Sequence, residues 1–70
     1  MATIVATMAG TVYKVLVQPG QSVKPGEDVM VLESMKMEVP VTAEVGGTVA
    51  RVAVGEGDFV NEGDVVVEIE

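Results

Sequence analysis

The sequence predicts an all-β fold: two four-stranded antiparallel sheets, related by an internal pseudo-twofold repeat and packed face to face. Three observations predict it. Valine is by far the commonest residue, and β-branched side chains suit a pleated surface. Glycine and proline recur every few residues and cut the chain into short strands. The chain also repeats itself. Gly10 to Glu33, GTVYKVLVQPGQSVKPGEDVMVLE, lies over Gly47 to Glu70, GTVARVAVGEGDFVNEGDVVVEIE, at a constant offset of 37. Gly10/Gly47, Val12/Val49, Val23/Val60, Gly26/Gly63 and Val29/Val66 are among the identical pairs.

The elements follow in chain order. Ile4 over Val41 and Ala6 over Ala43 extend the match upstream, so the units are residues 2–33 and 39–70 of a single domain, 1–70. Gly20 and Gly57 mark the first loop of each unit. Val23 and Val60 stand alone in short polar segments and are expected to plug into the core. Pro25-Gly26 suits a type II turn, with Pro fixing φ at the second position and Gly accepting positive φ at the third, and Glu62-Gly63 is its partner. The shared apolar pairs break strand parity. Val12 and Val15 cannot share a face of a regular strand, nor can Val29 and Leu32, so bulges or sharp twists are expected. Pro40 cannot donate to a ladder and should face away from a neighbour or sit at a bulge. A unit of this length cannot bury its own apolar face, but two packed copies can. The segment joining them then becomes an exposed hairpin, and the outer termini lie close together.

Composition narrows the function. A 70-residue core supplies only about 3–5 kcal/mol of net stability. There is no cysteine and no histidine, which excludes disulfides, the usual zinc sets, and Ser/His/Asp or Cys nucleophiles. Eleven acids against four bases, net −7, argue against nucleic acid and anionic membrane, and suit either solubility or docking onto basic partners. The N-terminus does not read as a signal peptide, and the longest apolar run, Val29 to Leu32, is far too short to span a bilayer, so a soluble, cytoplasmic chain, monomeric when isolated, is expected. Glu27-Asp28 reads as solvated turn residues. Asp58 to Asp64 imitates a calcium loop, but Val60 and Ile69 fall where oxygen ligands are needed. Gly55-Glu56-Gly57 lacks the third glycine of a dinucleotide loop. No metal site is expected.

The junction, residues 34–38 within Glu33-Ser34-Met35-Lys36-Met37-Glu38, contains none of the usual turn residues. Local propensity favours helix or one long strand. The repeat overrules it: Leu32 matches Ile69, which ends the second unit, and Val41 matches Ile4, which begins the first. The chain must reverse between Glu33 and Val39, with Lys36 at the centre. Met35 and Met37 would ordinarily fill a core. At a hairpin tip they have none, and exposed apolar residues around one lysine read as a recognition surface.

These residues resemble a known family. Met35-Lys36-Met37 at the junction, preceded by VKPGEDVMVLE and followed by Pro40 and by Gly46 to Val49, is similar to the biotinyl/lipoyl attachment domains. Over the whole chain it is most similar to the small stand-alone bacterial biotin/lipoyl attachment proteins, a likeness also favoured by strand-like sequence almost at Met1. The resemblance implies a flattened β-barrel of two four-stranded sheets, a barrel-sandwich hybrid, with the modified lysine on a hairpin. It implies covalent biotin on Lys36, attached by a biotin protein ligase, with Met35 and Met37 as flanking recognition residues and Glu33, Ser34 and Glu38 as hairpin context. The chain would then be no enzyme, and no catalytic residue is assigned. It would be a carrier moving a carboxyl group between a biotin carboxylase and a carboxyltransferase. Two departures stand out. Ser34 replaces the usual Ala before Met-Lys-Met, and the first-unit loop lacks the inserted thumb of many acetyl-CoA carboxylase carriers. Lipoyl domains share the fold but usually carry Asp-Lys-Ala. The methionines favour biotin, and lipoate on the same Lys36, or acceptance of either group, is the alternative. Free lysine is almost wholly protonated at neutral pH, and Glu33 and Glu38, if close, would favour the ammonium further. Activation must therefore come from the ligase.

Overall fold

A computed structural model describes residues 2–70. Its eight strands are β1 (Ala2–Val5), β2 (Gly10–Val15), β3 (Ser22–Val23), β4 (Asp28–Ser34), β5 (Met37–Thr42), β6 (Gly47–Val52), β7 (Phe59–Val60) and β8 (Val65–Ile69). They form two four-stranded antiparallel sheets, ordered β1-β8-β6-β3 and β5-β4-β2-β7. The all-β, two-sheet expectation is borne out. The strand partners add something the repeat did not reveal. Each unit gives two strands to each sheet, so the copies interlock, and neither has a sheet of its own. The repeat exchanges β1 with β5, β2 with β6, β3 with β7 and β4 with β8, and this turns one sheet order into the other.

The paired apolar residues meet between the sheets. Val12 and Val49, Leu32 and Ile69, Val29 and Val66, Ile4 and Val41, Ala6 and Ala43 are all buried. Val23 and Val60 plug the core as expected. Parity is broken where the sequence required it. Val12 pairs with Leu32 and the next pair is Lys14 with Val31, leaving Tyr13 as the extra residue. Its mate is Ala50, skipped between Val49↔Ile69 and Arg51↔Glu68. A further shift, between Asp28 and Met30 in the β4–β5 ladder, accompanies burial of the consecutive residues Val29 and Met30. Bulges add twist, which a small closed sheet needs.

The turns obey the repeat as well. Glu27 N donates to Lys24 O at 3.1 Å across Pro25-Gly26, where Gly26 has φ +87°. Asp64 N donates to Asn61 O at 3.0 Å across Glu62-Gly63, where Gly63 has φ +90°. Both are type II turns. Asp58 and Asp64, the first and last residues of the calcium-like stretch, are used locally: their Oδ2 atoms accept from Gly55 N and Asn61 N, each at 2.8 Å. Pro40 lies on β5, an edge strand, where a missing donor is tolerated. A Cβ on Gly10 would stand 2.8 Å from Glu33 O, so β2 can approach β4 this closely only without a side chain there.

On the outer face of the first sheet, Arg51 Nη2 donates to Glu68 Oε2 at 2.6 Å. This hydrogen bond holds the Glu68 carboxyl below its usual range. A lowered folded value means that the pair stabilises above the unfolded carboxyl's pKa and that its contribution is lost as pH falls through the folded one. Arg51→Gln should therefore melt slightly below wild type at pH 7, with the gap closing in acid. A gap independent of pH would mean that the arginine acts by packing instead.

Candidate functional site

The last turn between the units is built from the core outward. Val29, Met30 and Leu32 anchor β4 in the interior. Beyond them the β4–β5 ladder runs Leu32↔Val39, Glu33↔Glu38, Ser34↔Met37. The reversal is narrower than residues 34–38: Ser34 and Met37 are still paired as strand residues, so Met35 and Lys36 alone turn the chain.

Both do so in the left-handed region, Met35 at φ 52° and Lys36 at φ 64°. Positive φ at both central residues is the type I′ hairpin turn, which matches strand twist and normally takes Asn-Gly. A residue bearing a Cβ costs roughly 1–2 kcal/mol in this conformation. Ladder pairing on both sides holds the chain there. Strain of this kind is tolerated where another requirement outweighs it, and such requirements cluster at functional sites. Met35→Asn should relieve it, since asparagine visits this region readily. Its unfolding free energy should rise by up to about 1 kcal/mol, read as an upward shift in the denaturant midpoint. No rise would show that Met35 is unstrained.

Exposure at the tip matches the sequence expectation. Met35 is 92% exposed and Met37 66%, although both side chains are apolar. Lys36 is exposed. Among the described residues the ion pair is Arg51–Glu68, and Lys36 makes none. Neither Glu33 nor Glu38 forms an ion pair with the ammonium. They lie directly opposite each other on the outer face, a like-charge cross-strand pair that slightly opposes the hairpin it belongs to. Ser34 is half-buried beside Met37.

A shallow groove of about 140 Å³ runs along β1 to Thr42 and Val45, but no tip residue lines it, and it is small for a ligand site. Among the described residues no cluster of acids could hold a metal. A protruding lysine without an ion pair, between two exposed thioethers, is suited to a covalently tethered group that works beyond the protein surface.

Residues 2–69 match the family model described as biotin-requiring enzyme, the biotin/lipoyl domain. The chain belongs to the biotin/lipoyl attachment family. It is 49% identical over 67 residues to the biotin/lipoyl attachment protein of Bacillus subtilis (strain 168), covering 96% of this chain and 92% of that one. It is 43% identical over 67 residues to the biotin carboxyl carrier protein of Streptococcus mutans, covering 96% of this chain but spanning only 52% of that one. Among solved structures it is similar to the lipoyl domain of the 2-oxoglutarate dehydrogenase complex of Azotobacter vinelandii, with TM-score 0.74, 29% identity, and 96% and 95% of the two chains covered. Family membership thus fits the two-sheet, all-β body.

Proposed function

We propose that the chain is a biotin carrier, modified on Lys36 by a biotin protein ligase and serving a biotin carboxylase and a carboxyltransferase. The observation that carries this reading is the presentation of Lys36 on a strained, exposed two-residue turn, with the exposed Met35 and Met37 on either side of it. Likeness to relatives named as biotin carriers supports it.

The chemistry of loading is short. Lys36 Nζ, once deprotonated, attacks the acyl carbon of an activated biotin held by the ligase. A C–N amide bond forms and the activating group leaves. Among the described residues no side chain is hydrogen-bonded to Lys36 and its ammonium has no ion-pair partner, so the proton is left to the ligase to accept. Once attached, biotin supplies the chemistry of carrying a carboxyl group. The chain itself supplies a rigid base, a single tether point and high local concentration at both enzymes. In this role it is a substrate and a carrier, not a catalyst.

Lipoate on the same lysine is the second reading, favoured by the likeness to a lipoyl domain. The two separate cleanly. Purified chain is incubated with biotin protein ligase and biotin, or with a lipoate ligase and lipoate. Biotin should be incorporated at one group per chain, and lipoate at least about tenfold more slowly. Met35→Asp combined with Met37→Ala should weaken that preference. Faster lipoylation of the wild-type chain would reverse the reading.

A further inference from the structure

The pseudo-twofold provides an internal control for the surface. Both sheets bury matching residues, so the fold makes the same demand on each, and differences between their outer faces need another cause. On the hairpin sheet, Thr11, Lys14 and Glu33 match Thr48, Arg51 and Glu70 of the other copy in kind, while Tyr13, Val31, Pro40 and Phe59 do not. Their mates on the opposite sheet, at the offset of 37, are Ala50, Glu68, Thr3 and Ser22. Three of the exchanges put an apolar residue where the other face has a polar one, and the fourth, Tyr13 for Ala50, adds a large aromatic ring. The reverse exchange, Val5 and Val65 against Thr42 and Asp28, falls at the end of the strands away from the tip. The chain's two aromatic residues are both on the hairpin face, Tyr13 at 49% and Phe59 at 65% exposure. Phe59 lies in one cross-strand row with Thr11, Glu33 and Glu38. At about 4.8 Å between strands, Phe59 is about 10 Å from Glu33. Glu33 is three residues from Lys36.

We infer that this outer face, anchored by Phe59 and Tyr13, is the docking surface for the ligase that modifies Lys36. The inference rests on the carrier reading above. An unmodified lysine side chain is short, so its amine enters another enzyme's active site only if that enzyme closes over the tip and its surroundings. A carboxylase, reaching a loaded arm, need not come so close. A standard interface covers about 800 Å² of each partner, ample to take in tip and aromatics together on a chain exposing 4182 Å². Exposed aromatic anchors are the residues that most often dominate such contacts. The rim nearest Lys36 is acidic, Glu33 and Glu38, on a chain of net charge −7. The complementary surface is therefore an apolar shelf bordered on that side by lysine or arginine.

The symmetry also supplies the test. Tyr13→Ala with Phe59→Ser installs the residues that the other face already carries, so folding should be preserved. Ligase kinetics should show KM raised about tenfold or more, with kcat within about twofold, and a melting temperature near wild type. Ser22→Phe with Ala50→Tyr, on the opposite face, should leave KM unchanged. Added salt should raise the wild-type KM through the acidic rim. An unchanged KM in the Tyr13/Phe59 variant, with wild type biotinylated normally, would overturn the inference alone. So would an equal KM rise in the opposite-face variant, or wild-type dimers that vanish in the Tyr13/Phe59 variant while its KM holds. Failure of the ligase to modify the wild-type chain would overturn the carrier reading and this inference with it.

Discussion

Lys36→Arg is expected to end modification of the chain altogether. The guanidinium stays protonated throughout the accessible pH range and is a poor nucleophile, so the fold and the charge survive but the acceptor is gone. Exposure alone does not explain why this lysine is the target. Lys14 and Lys24 are exposed too. Lys14 lies within a paired strand opposite Val31, and Lys24 opens the Pro25-Gly26 turn. Only Lys36 sits at a two-residue tip with an exposed methionine on either side. Lys14→Arg and Lys24→Arg should therefore accept biotin at the wild-type rate. Mass spectrometry after ligase treatment reads all three variants. Residual biotin on Lys36→Arg, located on Lys14 or Lys24, would show that the ligase reads the body and not the turn.

Leu32→Ala is expected to have the largest effect on folding. Leu32 is completely buried and is the last interior residue of β4 before the tip, paired with Val12 on one side and Val39 on the other. Large-to-small changes at such sites cost about 2–5 kcal/mol. A core of this size provides a net stability of about 3–5 kcal/mol, so the variant should be largely unfolded or close to it. At about 4–8 °C per kcal/mol, its melting temperature should fall by about 8 °C or more. The loss should extend to function, because Leu32 and Val39 are the foot of the hairpin that presents Lys36. Val31→Ala, one residue away but on the outer face, should melt within a few degrees of wild type. Similar melting temperatures for the two variants would mean that the alternation of buried and exposed residues in β4 does not support the hairpin.

Much of this architecture was legible because the chain writes it twice. A single valine at position 23 says little, but a valine at 23 and again at 60, each alone among polar residues, points to the core, where both lie. The broken parity of Val12 with Val15 likewise foretold a register shift, and the shift falls between Val12 and Lys14. The repeat did not reveal that the units interlock. Which strand pairs with which is decided by long-range closure, and each unit's pattern fits a sheet of its own as well as a shared one. The position of the tip was legible for the same reason as the core. Its conformation was not. Met and Lys favour helix, and nothing in their chemistry signals positive φ. Only the two-residue span between Ser34 and Met37 forces it. Glu33 and Glu38 read as flanks of the lysine along the chain, but a hairpin sets them face to face, because residues equally far from a two-residue turn become cross-strand partners. Tyr13 and Phe59 carry no pattern of their own along the chain. Their sequence signal lies in the mismatches of the repeat, Tyr13 over Ala50 and Phe59 over Ser22.

The most direct measurement is the mass of the intact wild-type chain after co-expression with a biotin protein ligase, with fragmentation to locate any added group. The tip geometry predicts a single added mass, that of one biotinyl group in amide linkage, on Lys36. A chain that stays unmodified, that gains a lipoyl group instead, or that carries biotin on Lys14 or Lys24 would contradict it.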